Sequence, residues 1–128
     1  MQLLDLELKI VIENPVGTYK KFVDSLNDYP ILGVTFPTHY GYINGYFSED
    51  NHDLDVFLGS GSEHGILQVK RDDVPGGIET KIILFATKDE YDSIQKEYDP
   101  VISEIKRLPE EELVEALKNF TQRRSMPT

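Results

Sequence analysis

Four carboxylates crowd into one short segment of this 128-residue chain. Residues 49–55 read Glu-Asp-Asn-His-Asp-Leu-Asp and lead directly into an apolar run at residues 56–58. Carboxylates this close repel one another unless water or a bound cation neutralises them. Asp53 and Asp55 have strand spacing, so both can point to one side, and Asp50 can fold back from the loop. Oxygen ligands favour a hard ion, Mg²⁺ or Mn²⁺, over zinc, whereas the alternative interpretation is a solvated acidic turn.

A second charged segment, residues 70–81, is typical of a strand, a Pro-Gly-Gly turn and a second strand. Glu79 and Lys81 are two residues apart on one strand face, so a carboxylate and an ammonium can project together. The functional interpretation is a cation held by the acids beside a phosphate held by Lys81. The alternative is a surface hairpin with ordinary ion pairs, which contribute little to stability.

Aromatic and imidazole groups give the remaining candidates. The aromatic residues of segment 36–47 are expected to pack the core, and Tyr40 could alternatively donate to a phosphate oxygen. The three histidines, His39, His52 and His64, are scattered and do not form a zinc signature. His52 lies inside the acidic loop and is the histidine with a candidate role.

The elements that must position these groups are mostly strands. Alternating apolar and polar residues predict a half-buried strand over residues 4–12, ended by the turn Asn-Pro-Val-Gly at residues 14–17. Residues 20–32 are expected to form a long loop. Gly41 and Gly45 suit a bent strand or a hairpin with a bulge. Apolar segments separated by Gly, Ser and Pro predict strands at residues 36–47, 54–58, 65–69 and 81–86.

Two helix starts are expected near the C-terminus. Asp99 followed by Pro100 predicts an N-cap and first helical residue, and Pro109 followed by three Glu residues repeats the signal. An amphipathic stripe then follows at Leu113, Val114, Leu117 and Phe120. Strands first and helices last predict an α+β fold, mainly β, as a small curved sheet or barrel capped by helices in a single domain over residues 1–128.

Composition and charge exclude several classes of partner. Thirteen Lys and Arg against 23 Asp and Glu give a net charge of −10, which disfavours nucleic acid and anionic membranes. The absence of Cys excludes disulfides, thiolate catalysis and zinc sites that use sulfur. No apolar run reaches the ~20 residues of a membrane helix. Asp5 and Glu7 interrupt any signal-peptide core, so a cytoplasmic location is expected.

Four short motifs follow one another along the chain in a characteristic order. Residues 11–15 (Val-Ile-Glu-Asn-Pro) end a strand with Glu shortly before Pro, and residues 36–43 read Phe-Pro-Thr-His-Tyr-Gly-Tyr-Ile. The spacing from Asp50 to Asp55 resembles the pattern Asp-x-Asp-x-x-Asp-Val. Residues 79–81 form an acid-x-Lys segment. Together these motifs resemble the family of soluble inorganic pyrophosphatases, in a shortened bacterial-type form, over residues 10–120.

This resemblance implies a fold and an activity. The fold would be a five-stranded, oligonucleotide-binding-like closed barrel with flanking C-terminal helices. The activity would be Mg²⁺-dependent hydrolysis of inorganic pyrophosphate to two phosphates by metal-activated water, with Mn²⁺ as the alternative ion, in a homo-oligomer. Two alternatives stay open: a metal- or phosphate-binding module of the same fold with weak or no turnover, and an acidic interaction protein whose carboxylates are merely solvated.

The resemblance also implies residue roles. Asp50, Asp55 and Glu79 would hold the tightest metal. Glu13 and Asp73, or alternatively Asp72, would help hold further metals. The residues that would contact phosphate oxygens are Lys21, Tyr40 and Lys81. The catalytic residues would be Asp55, which bridges two ions, and His52, which occupies the position of the general base, with Asp53 as its possible substitute.

Several positions depart from the family pattern. His52 replaces an Asp; an imidazole can take a proton near neutral pH but adds no negative charge. Val23 stands where a Glu is expected, no Arg occurs in residues 26–35, and Phe120-Thr121 replaces a Tyr-Lys pair. The metal-binding half of the pattern is therefore better preserved than the phosphate-binding half.

Overall fold

The computed structural model describes residues 1–21 and 33–123. These residues form ten strands and two α-helices. The strands are β1 (Gln2–Leu3), β2 (Leu6–Glu7), β3 (Ile10–Asn14), β4 (Tyr19–Lys21), β5 (Gly33–Thr35), β6 (His39–Phe47), β7 (Asp53–Leu58), β8 (Glu63–Lys70), β9 (Ile78–Ala86) and β10 (Ile102–Arg107). The helices are α1 (Lys88–Tyr98) and α2 (Glu110–Leu117), followed respectively by the 3₁₀ turns Asp99–Val101 and Lys118–Phe120.

A six-stranded mixed sheet is the centre of the fold. Its strand order is β10-β8-β9-β7-β6-β3, and two small hairpins, β1-β2 and β4-β5, lie outside it. All neighbouring strands of the large sheet are antiparallel except β7 and β9, which pair in parallel with Val56 opposite Ile82. Because side chains alternate between the two faces of a sheet, Asp55 and Lys81, one residue before this pair, share a face.

Each face of the sheet is covered by one helix. On one face, β-strand residues such as Phe57 and Ile83 pack with Tyr91 and Ile94 of α1. On the other face, residues such as Val56 and Leu84 pack in a second cluster that includes buried residues of α2. The sheet is therefore a layer between two apolar cores.

The prediction of a mainly β α+β fold is confirmed, but its closed five-stranded barrel is not. The large sheet has six strands, and within the described residues it ends at β10 on one side and at β3 on the other. The additional strand is β10, which pairs with β8 and lies in a segment where the sequence predicts helix.

The strand predictions from residue 36 to residue 86 are confirmed. Strand β6 contains a register shift between Ile43 and Phe47, where Gly45 has a φ of +84°, as the predicted bulge requires. The predicted first strand is instead two short strands and β3, because the chain turns at Leu4 with a φ of 54°. Residues 20 and 21 belong to β4, and the rest of the expected loop lies outside the described residues.

One predicted helix start is wrong and the other is confirmed. Helix α1 ends before the 3₁₀ turn that contains Pro100; it begins after Thr87, whose hydroxyl accepts a hydrogen bond from the Glu90 amide in a capping box. Helix α2 follows Pro109, and Leu113 and Leu117 are buried as the stripe predicts. In the described part of the chain, neither helix has the length and apolar character that crossing a membrane requires.

Candidate functional site

Four polar side chains from three strands meet on the α1-covered face of the sheet. They are Tyr40 of β6, Asp55 of β7, and Glu79 and Lys81 of β9. We call them the four-residue cluster. The sequence prediction that Glu79 and Lys81 project together is confirmed, since Lys81 Nζ lies 3.1 Å from Glu79 Oε2. The parallel register of β7 and β9 adds Asp55.

Lys81 is the centre of the four-residue cluster. Its buried ammonium donates to Tyr40 Oη at 2.7 Å and to carboxylate oxygens of Asp55 and Glu79, each at 3.1 Å. Burial alone would lower the pKa of Lys81, but the neighbouring Tyr40, Asp55 and Glu79 raise it well above its ordinary value. Lys81 is therefore a permanent cation at neutral pH.

Tyr40 is held rigidly beside this cation. Its ring stacks on Phe36 with the centroids 4.3 Å apart and contacts Phe57 edge-on at 4.9 Å. Its hydroxyl donates to Asp55 Oδ2 at 2.5 Å. Burial raises the pKa of Tyr40 well above its ordinary value, so the group remains a phenol and keeps its donor proton.

Arg71 adds a second cation that sequence reasoning missed. Its Nη1 donates to Glu79 Oε1 at 2.6 Å, while Nε and Nη2 donate to the two oxygens of Asp73 at 2.9 and 2.6 Å. The hydrogen bonds from Arg71 hold the pKa of Asp73 below its ordinary value. The sequence signal that could have identified Arg71 is the predicted hairpin, because its turn brings residue 71 close to the start of β9. In the structure, Arg71 N donates to Gly77 O across this turn.

The acidic loop at residues 48–52 is ordered by its own hydrogen bonds. Asp50 Oδ1 accepts from Ser48 Oγ at 2.7 Å and from the His52 amide at 2.9 Å, and Asn51 adopts a left-handed φ of 62°. His52 and Asp53 are exposed. Asp50 thus orders the turn, while the His52 imidazole of the loop and the Asp53 carboxylate at the start of β7 face solvent.

Glu49 connects this loop to the strand that carries Glu79 and Lys81. Its carboxylate accepts from the Thr80 amide at 2.8 Å and from the Thr80 hydroxyl at 2.5 Å. Thr80 lies between the two charged residues of β9, so the Glu49–Thr80 clasp ties the loop to the strand that carries Glu79 and Lys81. The sequence indicates Glu49 only as one member of an acidic run.

Three other predicted site residues are exposed: Glu13, Lys21 and Asp72. Glu13 is exposed on β3 and Lys21 is exposed at the end of β4. Asp72 is exposed in the hairpin turn, where Asp73 rather than Asp72 contacts Arg71. Across residues 1–21 and 33–123, no hydrogen bond or ion pair joins Glu13 or Lys21 to the cluster, and their roles stay predictions.

The donor chemistry of the four-residue cluster fits a hard divalent cation. Asp55 and Glu79 reach the same cation, Lys81 Nζ, from two strands, and carboxylate oxygens are the ligands that Mg²⁺ prefers. In the described segments, however, no three Asp, Glu or His side chains form a group that could hold an ion. Asp50, Asp55 and Glu79 as a common metal triad therefore stay a prediction that requires side chains to turn toward the ion.

Comparison with models of protein families identifies a match. A family model described as Inorganic Pyrophosphatase matches residues 6–114, which include the whole four-residue cluster, Arg71 and the acidic loop. No curated protein matches the chain.

Proposed function

Because this chain belongs to the inorganic pyrophosphatase family, a family of hydrolases, we propose that it hydrolyses inorganic pyrophosphate to two phosphates with Mg²⁺, or alternatively Mn²⁺. The observation that supports this proposal is the four-residue cluster. Two carboxylates from different strands converge on one buried ammonium, beside a rigid phenol donor. Carboxylates to hold cations and donors to hold a phosphate are what hydrolysis of a phosphoanhydride needs.

Lys81 and Tyr40 are proposed to bind the substrate. A protonated Lys81 compensates the negative charge that accumulates on a leaving phosphate, and the Tyr40 phenol can donate to a phosphate oxygen. In the hydrolysis, the water oxygen bonds to one phosphorus atom, the bond from that phosphorus to the bridging oxygen breaks, and the second phosphate leaves with the bonding electrons. Lys21 is proposed as an additional phosphate contact.

The carboxylates are proposed to hold the metal. Asp50, Asp55 and Glu79 would form its main ligand set, and Glu13 and Asp73 are the further ligands that the family pattern indicates. Bound Mg²⁺ would supply Lewis-acid chemistry and neutralise phosphate charge.

His52 is proposed to accept the proton of the attacking water, with Asp53 as the alternative base. Both side chains are exposed, His52 at the end of the acidic loop and Asp53 at the start of β7, and the loop is tied to β9 through Glu49. An imidazole is suited to proton transfer near neutral pH. We expect His52→Ala to lower kcat by about 10²–10⁴-fold while the affinity for Mg²⁺ is retained; an unchanged kcat would transfer this role to Asp53.

Phosphate release from pyrophosphate tests the activity directly. The unmodified chain should release phosphate with Mg²⁺ and not with EDTA, and Asp55→Asn should reduce the rate by at least about 100-fold. Asp92→Asn is the matched control, because Asp92 is exposed on α1 and near Arg107. Release at the background rate from the unmodified, folded chain would contradict the proposal.

A binding module with weak or no turnover is the second candidate. It is favoured by the ion pairs of Glu79, whose two carboxylate oxygens contact the cations Arg71 and Lys81 of the chain itself. For this candidate, Mg²⁺ should raise the Tm without phosphate release, and Asp55→Asn should remove that increase. A cytoplasmic location is a further proposal from the sequence, and a homo-oligomer is a further proposal from the family resemblance.

A further inference from the structure

Arg71 bridges two carboxylates for which the sequence predicts metal binding. Its guanidinium forms two parallel hydrogen bonds to Asp73 and one to Glu79, at 2.9, 2.6 and 2.6 Å. Three of its five N–H donors are thus used within the site. The Arg71 side chain is 23 % exposed and that of Glu79 only 5 %, so the contact with Glu79 is largely shielded from water.

The oxygens of this carboxylate pair are fully shared between two cations. Both oxygens of Asp73 and Oε1 of Glu79 accept from Arg71, and Oε2 of Glu79 accepts from Lys81. The planar guanidinium fork matches carboxylate geometry and never loses its proton at accessible pH. A divalent ion between Asp73 and Glu79 would have to displace this guanidinium and leave its charge beside the ion.

We infer that Arg71 is a specificity-determining residue of this site: it is the resident cation of the Asp73–Glu79 pair and keeps a divalent ion from bridging that pair. The inference rests on the proposed function, since Glu79 belongs to the proposed metal site. The two cation positions at Glu79 are distinct. Arg71 holds the Oε1 side, and the Oε2 side, where Lys81 contacts both Glu79 and Asp55, is the side that Glu79 shares with the proposed metal ligand Asp55.

This assignment changes the role of Asp73. The sequence pattern predicts Asp73, or Asp72, as a metal ligand. With Arg71 in place, Asp73 instead positions the guanidinium by a bidentate contact. Arg71 then provides the positive charge near Glu79 that a second ion would otherwise provide.

Calorimetric titration with Mn²⁺ or Mg²⁺ alone, without phosphate or pyrophosphate, tests the inference. Removing the guanidinium in Arg71→Gln frees the carboxylate pair, so the variant should bind one more ion per chain or bind with roughly tenfold higher affinity than the unmodified chain. Lys118→Gln is the control, since it removes the same charge from an exposed pair with Glu115 on the α2 side. The inference would be overturned if Arg71→Gln bound the same number of ions with the same affinity as Lys118→Gln, or bound them more weakly.

Asp73→Asn provides a second, independent variant, and circular dichroism verifies that each variant is folded. If Asp73 only positions Arg71, Asp73→Asn leaves the divalent affinity unchanged or raises it. A clear decrease would identify Asp73 as a metal ligand and overturn the inference. Arg71→Lys retains the charge but not the fork, and should bind divalent ions with an affinity between those of the unmodified chain and Arg71→Gln.

The outcome is separable from that of the proposed function, because the titration does not depend on turnover. A chain that releases no phosphate but gains an ion in Arg71→Gln would contradict the pyrophosphatase proposal and support the inference. A chain that hydrolyses pyrophosphate but binds the same ions after Arg71→Gln would support the pyrophosphatase proposal and overturn the inference.

Discussion

Two buried tyrosine hydroxyls of this protein have opposite surroundings. The Tyr40 hydroxyl donates to Asp55 and accepts from Lys81. The Tyr91 hydroxyl is buried without a hydrogen-bond partner among residues 1–21 and 33–123, and its ring contacts the Arg107 guanidinium at 4.3 Å. Only the first hydroxyl completes a charged cluster.

Replacing each tyrosine by phenylalanine should separate these roles. Tyr40→Phe leaves Asp55 and Lys81 each without one buried partner, so the free energy of unfolding should fall by about 1–3 kcal/mol. Tyr91→Phe removes an unsatisfied buried hydroxyl and should leave the free energy of unfolding unchanged or raise it slightly. Urea unfolding of both variants measures the difference, and equal losses would contradict this account.

At the level of single residues, the sequence predicts which side chains of one strand share a face better than it predicts their partners on other strands. That Glu79 and Lys81 share a face follows from the two-residue period of a strand. That Asp55 reaches the same ammonium depends on the pairing of β7 with β9, and that Arg71 reaches Glu79 depends on the path of the hairpin turn. Neither contact follows from local sequence alone.

At the scale of elements, the Glu49–Thr80 clasp holds the acidic loop against β9. Glu49→Gln and Thr80→Val should each destabilise the fold, and the double variant should lose less than the sum of the two. This double-mutant cycle should give a coupling energy between Glu49 and Thr80 of about 0.5–3 kcal/mol, measured by urea unfolding. The loss of the separate 3.4 Å contact from Gln68 to Thr80 occurs with and without Glu49, so it does not enter the coupling energy.

A coupling energy near zero between Glu49 and Thr80 would contradict this prediction, because the clasp would then contribute nothing to stability. As a control, Glu111→Gln, an exposed position in the first turn of α2, should show no coupling to Thr80→Val.

Glu90 ties the start of α1 to the turn after β7, and this contact is sensitive to acid. Its carboxylate accepts from the amides of Ser60 and Thr87 at 2.9 and 2.8 Å. Burial alone would raise the pKa of Glu90, but the hydrogen bonds from Ser60 and Thr87 lower it below the ordinary value of 4.5.

The sign of the pH dependence follows from this lowered pKa. Glu90 stabilises the fold fully above the pKa that it has in the unfolded chain, and the contribution disappears as the pH falls through its lower pKa in the folded state. The stability difference between the unmodified chain and Glu90→Gln should therefore be largest near pH 7 and shrink toward pH 3. Thermal unfolding across this range measures it, and a difference that grows in acid would contradict the account.

The strand that the sequence misses, β10, has a physical explanation. Ile102 and Ile105 are three residues apart, a spacing that suits a helix, and Pro100 precedes them as at a helix start. The pairing of β10 with β8 shifts register between Ile102 and Glu104, so both isoleucines pack against the core on the α1 side. A bulge thus allows a helix-like spacing in a strand.

At the scale of the whole molecule, the net charge of −10 is distributed unevenly. Residues 22–69 contain no Lys or Arg, so any cation that neutralises a carboxylate of this segment comes from elsewhere in the chain or from solution. Lys81 supplies such a cation beside Asp55, and Lys81 and Arg71 both pair with Glu79 of the following segment.

This distribution predicts a specific effect of divalent ions on stability. At equal ionic strength, MgCl₂ should raise the Tm more than NaCl, because screening acts in both salts but only Mg²⁺ would bind the proposed metal site. An excess stabilisation of about 2.7 kcal/mol is expected when Mg²⁺ is present at 100 times its Kd. Asp55→Asn should abolish the excess and keep the response to NaCl; identical curves for the two salts would contradict the prediction.

The parallel pairing of β7 with β9 has a consequence for how the chemistry of this chain comes into being. The β8–β9 hairpin contains Glu79 and Lys81, but Asp55 joins them only when β7 docks along the opposite side of β9. That docking closes a longer loop than the hairpin turn does, so it costs more conformational entropy. We therefore expect the four-residue cluster to form after the hairpin, and a local opening between β7 and β9 to separate Asp55 from Lys81 while the hairpin is still intact.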